Sequence, residues 1–147
     1  MKTDQEARQL ALQLLSRREY SARELQQKLQ ADHDPDQIET VLAQLQEQGL
    51  QSDARFAEMY VRHRQLQGHG PVRIQGELRQ KGIAPDLVQE CLQDGGVDWF
   101  EQAKAVRRRR FGDTPPLDAR LKARQMRFLQ YRGFTPDQIR FALADDD

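Results

Sequence analysis

Catalysis or metal binding needs a few reactive side chains brought together, and in this chain such residues are sparse. The three histidines, His33, His63 and His69, have no metal-ligand spacing with the lone Cys91, whereas a zinc site takes three or four convergent ligands. They read as surface residues. Cys91 falls beside Val88 and Leu92 at a core position of its helix, where a thiol behaves as a small apolar filler. Gly68-His69-Gly70 lacks the spacing and the lysine of a phosphate-cradling loop. The carboxylates gather in the first third of the chain and at the tail Asp145-Asp146-Asp147, where they suit solvated faces and helix caps. No catalytic, cofactor-binding or metal-binding residue is assigned: the chain reads as a binding protein without a cofactor, not as an enzyme.

Arginine is the residue type that does stand in a pattern. Arg107-Arg108-Arg109-Arg110 follows the apolar Trp99, Phe100, Ala103 and Val106. Four consecutive residues cover most of a helix circumference, so some of these arginines must face solvent or a partner. Arg120, Arg124 and Arg127 stand at i, i+4 and i+7 and form one stripe, while Leu121, Phe128 and Leu129 occupy a face suited to the core. Like charges along one helix face repel by a few tenths of a kcal/mol per pair. A stripe that tolerates this cost fits a polyanion or an acidic partner; the alternative is an ordinary solvated face. Net charge is zero, yet residues 24–53 carry about −6, residues 55–82 about +4 and residues 104–132 about +8. The middle and the C-terminal third should attract a polyanion that the first third repels.

The elements that must carry these residues are helices. Ala7, Leu10, Ala11 and Leu14, and again Ile38, Val41, Leu42 and Leu45, follow the i, i+3, i+4, i+7 spacing of an amphipathic helix. No stretch alternates apolar and polar residues as a strand would. Ser21-Ala22-Arg23-Glu24 is a capping box. Asp34-Pro35 with Gln37, and Thr135-Pro136 with Gln138, place a cap before a proline at the first helical position. Gly49-Leu50, Gly82-Ile83 and Gly133-Phe134 have the form of helix ends, with a left-handed glycine and an apolar residue folding back on the last turn.

These signals recur at an offset of about 50 residues: Leu78 to Asp86 parallels Leu129 to Asp137, and Leu25, Leu29, Ile38 and Leu42 parallel Ile74, Leu78, Val88 and Leu92. The predicted fold is therefore all-α, three tandem three-helix modules in an elongated, curved array. The modules are expected at 1–52, 53–97 and 98–147. A chain that is 37% hydrophobic and 31% charged, with a mean hydropathy of −0.88, suits several small cores better than one large one. The polar N-terminus does not read as a signal peptide, and no apolar run reaches the roughly 18 residues of a membrane span. The expected state is a monomer in the cytoplasm, away from any membrane.

Three-helix units with a glycine-containing turn suggest a helix-turn-helix. A groove-reading third helix would aim basic or amide side chains at base edges. Here the third helices carry Asp36, Glu39, Glu47, Asp86, Glu90 and Asp137, with Arg140 their only basic residue. Contact with nucleic acid should thus run through phosphates, without sequence preference.

The block Gly49 to Ile83 carries Gly49-Leu50, Ser52-Asp53, Arg55-Phe56-Ala57, Tyr60, Arg64, Gly68, Gly70-Pro71, Arg73-Ile74, Glu77-Leu78 and Lys81-Gly82-Ile83. It strongly resembles the signature of the RecX family, bacterial regulatory proteins that modulate the recombinase RecA. Looser similarity flanks it: Ser21, Glu24-Leu25 and Lys28-Leu29 on one side, Arg110-Phe111-Gly112 and Phe128-Leu129-Tyr131-Arg132-Gly133 on the other. The spacer after Leu29 is short and acidic. The resemblance implies three tandem three-helix modules that lie along the groove of a RecA–DNA filament. It implies lower filament extension, ATP hydrolysis, strand exchange and co-protease activity, hence modulation of recombination and the SOS response. Implied partners are the RecA filament and single- and double-stranded DNA.

Within the signature, Phe56, Tyr60, Ile74 and Leu78 suit the core. Gly68, Gly70 and Pro71 form an inter-helix turn that either admits another chain closely or serves only as a turn. Arg62, Arg64, Arg73, Arg79 and Lys81 are the contact candidates there, joined by Arg107, Arg108, Arg109, Arg110, Arg120, Lys122, Arg124 and Arg127 in the last module. A rival reading is a sequence-nonspecific DNA-binding helical protein that acts without RecA.

Overall fold

A computed structural model describes residues 3–144 of the chain. The tail Asp145-Asp146-Asp147 lies outside the described residues. Among them are nine α-helices and no strand: α1 Asp4–Leu15, α2 Ala22–Leu29, α3 Pro35–Glu47, α4 Asp53–Leu66, α5 Pro71–Gln80, α6 Pro85–Asp94, α7 Trp99–Phe111, α8 Ala119–Arg132 and α9 Pro136–Leu143. Helix starts follow the cap chemistry. Ser21, Asp34 and Thr135 each accept the amide three residues on, and Glu24, Gln37 and Gln138 reach back in reciprocal capping boxes. At the ends of α3, α5 and α8, the amides of Leu50, Ile83 and Phe134 donate to the carbonyls of Leu45, Leu78 and Leu129. Ile83 and Phe134 are buried as the motif requires, whereas the Leu50 side chain is half exposed.

The chain divides into two compact units. The first holds the residues up to Tyr60 together with Leu78–Val88. Its core contains Ala7, Ala11, Tyr20, Leu25, Leu29, Ile38, Val41 and Leu45, with α1 packed on α3. His33, expected at the surface, is buried. Its Nδ1 lies 3.2 Å from the Leu29 carbonyl, so the ring satisfies the end of α2, a role that spacing alone does not reveal.

Glu24 is the buried charge of this unit. Its carboxylate meets Arg18 at 3.2 Å and Lys81 at 3.0 Å, and accepts the Ser21 amide at 3.1 Å. Burial opposes its ionisation, but Arg18, the Ser21 amide and Lys81 together hold its pKa below the ordinary value. A depressed folded-state pKa adds stability above the unfolded value, near 4.5, and that contribution disappears as pH falls through the folded value. Glu24→Gln should therefore cost about 1–2 kcal/mol at neutral pH, and the difference from wild type should shrink as pH falls through the lowered folded-state value. Urea denaturation at neutral pH and across the acid range checks this; a cost that does not change with pH would contradict it.

The second unit holds Val61–Glu77 and the residues from Gln89 on. In it α7 packs against α8 and α9 and buries Trp99, Ala103, Val106, Leu129, Phe134, Ile139, Ala142 and Leu143. The Trp99 indole donates to the Leu92 carbonyl at 2.9 Å. Cys91 is buried and unbridged, in keeping with its core position. Two edge-to-face ring pairs, Phe100 with Phe141 and Phe111 with Phe128, close the helix contacts.

Candidate nucleic-acid and partner interface

The α4–α5 turn and the end of α8 meet through the backbone. Gly70 donates to the Arg132 carbonyl at 2.7 Å and Val72 to the Gly133 carbonyl at 2.9 Å. The orphan amides at the start of α5 thus satisfy orphan carbonyls at the end of α8, with opposed helix-dipole ends in contact. Glycine permits the approach. A Cβ on Gly70 would stand 2.4 Å from the Gly133 oxygen, and one on Gly133 would stand 2.3 Å from the Arg73 Cβ. At Gly70 the close approach is made, within this unit, by the chain's own backbone, whereas a Cβ on Gly68 would meet the side chains of Arg132 and Val106 at 3.4 and 3.6 Å.

The signature charges divide between internal pairing and exposure. Arg64 holds Glu77 through two contacts of 2.9 Å and the Gln67 amide oxygen at 2.8 Å. Arg73 reaches the same carboxylate at 3.5 Å. Lys81 is bound to Glu24 at 3.0 Å. Arg62 on α4 and Arg79 on α5 are exposed. His69, at the turn, is disfavoured from protonation by burial first, then by Arg73, Arg64 and Arg132, while Glu77 acts the other way.

The last three helices carry the main exposed positive surface. Arg120, Arg124 and Arg127 are exposed on α8 and line one concavity of about 420 Å³ with Leu121 and Asp118, the N-cap of the helix. The stripe read from spacing is thus present as a stripe, and Lys122 is exposed as well. Two assignments change. Leu121, expected in the core, is 37% exposed, while Gln125 one turn on is buried. Arg107, expected as a contact residue, is only 3% exposed: its guanidinium reaches the Gln125 side chain and the Thr114 carbonyl, both at 3.4 Å. It joins α7 to α8 and the loop between them. Arg108 is half-buried, and Arg109 and Arg110 are the exposed members of the run.

Sequence reasoning also passed over an apolar recess of about 440 Å³ lined by Val72, Met126, Phe134 and Ile139. Tyr131, quoted above only for the family resemblance, is 75% exposed. A large apolar or aromatic residue on the polar face of its helix is the signal that marks both. Among the described residues no group of three or more His, Cys, Asp or Glu side chains is placed to hold a metal ion. None of the described helices is long and apolar enough to cross a membrane.

The nine helices of the described residues, with a basic stripe on α8, define an all-helical protein of the three-helix-repeat class. Models of three domains match it in order: "RecX, first three-helix domain" over residues 7–45, "RecX, second three-helix domain" over 52–92 and "RecX, third three-helix domain" over 97–143. The chain belongs to the RecX family. It is 53% identical over 141 residues to the regulatory protein RecX of Halorhodospira halophila, covering 95% of this chain and 88% of that one. To the regulatory protein RecX of Acidithiobacillus ferrooxidans it is 49% identical over 136 residues, covering 92% and 87%. A crystal structure of regulatory protein RecX superposes with a TM-score of 0.79 at 25% identity, covering 95% of this chain and 72% of that one. The crystal structure of RecX from Lactobacillus salivarius shares the fold, with a TM-score of 0.81, 24% identity and coverage of 95% and 93%.

Proposed function

We propose that this protein binds the RecA nucleoprotein filament and lowers its activities: filament extension, ATP hydrolysis, strand exchange and co-protease function. In the cell it then restrains recombination and the SOS response. The observation that carries the reading is family membership over nearly the whole chain, with relatives named as regulatory proteins. The exposed arginine stripe on α8 supplies a physical means, since aligned guanidinium groups suit DNA phosphates or acidic side chains of the filament. Acidic third helices favour contact with the sugar-phosphate backbone over base reading, so DNA contact is independent of sequence. The protein acts as a cytoplasmic monomer of three modules, 1–52, 53–97 and 98–147, and turns over no substrate of its own.

Titration of the cognate RecA's DNA-dependent ATP hydrolysis tests the proposal. The rate should fall progressively as this protein is added, while the protein alone hydrolyses no ATP. An unchanged RecA rate, with filament binding absent, rejects it.

A further inference from the structure

An aromatic ring left in water beside surplus positive charge needs a physical reason. Tyr131, near the end of α8, is 75% exposed, the largest exposure of any aromatic residue in the structure described. The Arg73 guanidinium lies 5.4 Å from its ring centroid. Behind this pair stand Arg64, bound to Glu77, and Arg132, whose Nη1 donates to the Gln67 carbonyl at 3.1 Å. Three guanidinium groups and His69 thus gather around the α4–α5 turn against the carboxylate of Glu77. Arg64, Arg73 and Arg132 are all at least partly removed from solvent, which makes a net positive excess costly unless an anion compensates it. The positions are fixed: Arg73 packs on Gly133, and the backbone bonds of Gly70 and Val72 hold the start of α5 against the end of α8.

An exposed ring and a guanidinium a few ångström apart match an alternation of base and phosphate. The ring offers a stacking face and the guanidinium a charged fork for the neighbouring phosphate. Stacking of this kind requires an unpaired base, because in a duplex both faces of each base are already covered. We propose that Tyr131 and Arg73 form a subsite for single-stranded nucleic acid, with one base stacked on Tyr131 and the adjoining phosphate held by Arg73. The subsite rests on the nucleic-acid part of the function proposed above and names where unpaired strand is gripped. The α8 stripe offers charge with no exposed aromatic ring among its lining residues, so it serves single and double strands alike.

The test is a fluorescence-anisotropy titration of the full chain with a short oligothymidylate and with a duplex of equal length. Wild type, Tyr131→Ala, Tyr131→Phe and Arg73→Gln are compared across salt concentrations. Tyr131→Ala should weaken oligothymidylate binding roughly 5- to 100-fold and leave duplex binding unchanged. Tyr131→Phe should keep most of the affinity, because the stacking face survives. Arg73→Gln should lower the salt slope for oligothymidylate by roughly one. Unchanged oligothymidylate affinity in Tyr131→Ala, or equal losses on both nucleic acids, would overturn the subsite. So would absent binding of oligothymidylate by wild type. The same variants are then assayed for inhibition of RecA: wild type that inhibits without this subsite leaves the filament reading standing, and wild type that binds the strand without inhibiting removes that reading alone. Circular dichroism reports folding, which the substitution of an exposed tyrosine should leave intact.

Discussion

Replacing Arg120, Arg124 and Arg127 together by alanine should weaken binding to a RecA–single-stranded-DNA filament on the order of 100-fold while leaving the helices intact. The three side chains are exposed along one face of α8 and open onto one shared concavity, so all three can meet the same partner surface. Folding should not suffer. Alanine has the better helix propensity, and the substitution removes repulsion between like charges. The salt dependence distinguishes the partner. If the stripe lies on phosphates, the slope of log affinity against log salt should fall by up to about three, because fewer counterions are released. If it lies on acidic side chains of RecA, affinity should fall with a smaller change of slope. Affinity measured against salt for wild type and the triple variant, with circular dichroism as control, gives the answer. Equal affinity at every salt concentration, with helicity retained, would reduce the stripe to a solvated face.

Gly70→Ala and Gly133→Ala should each destabilise the protein severely, by roughly 2–5 kcal/mol. On Gly70 the added Cβ would stand 2.4 Å from the Gly133 oxygen and 2.7 Å from the Phe134 nitrogen, atoms of a backbone that cannot swing aside. On Gly133 the clash is with the Arg73 Cβ at 2.3 Å and its nitrogen at 2.7 Å, and the residue also holds a φ of +97° that side chains resist. Moving the two segments apart would break the Gly70–Arg132 and Val72–Gly133 hydrogen bonds. Gly76 is the control: it lies within α5 with nothing within 4 Å of an added Cβ, so Gly76→Ala should be neutral or stabilising by up to about 1 kcal/mol. Thermal denaturation followed by circular dichroism should show Tm lowered by roughly 4–20 °C for the first two variants. A Tm for Gly70→Ala equal to that of wild type would contradict the close backbone approach.

Both predictions show where sequence reading reached and where it stopped. The helices were legible because their ends are written locally: Ser21 with Glu24, Asp34 with Gln37 and Thr135 with Gln138 are short-range hydrogen bonds between residues three apart. The arginine stripe was legible for the same reason, since i, i+4 and i+7 fix a helix face whatever packs elsewhere. Long-range partnerships were not. Nothing near Gly70 in sequence announces Gly133, and nothing near Lys81 announces Glu24. Arg107 looks like its neighbours in a run of four, and only the packing of α7 on α8 turns it toward Gln125. His33 was misplaced for a related reason, because its ring closes the preceding helix rather than facing water. Tyr131 stood in view within the looser flanking similarity, but its use depends on Arg73, which another helix brings beside it.

The function proposed above requires this chain to act on the RecA filament and not merely on DNA. Co-sedimentation at physiological salt tests it most directly, using single-stranded DNA with and without the cognate RecA assembled on it. The protein should pellet with the RecA–DNA filament and saturate it, with much weaker retention on bare DNA under the same conditions. Equal retention on bare DNA and on the filament, with no effect on RecA, would contradict it and leave a helical protein that binds nucleic acid on its own account.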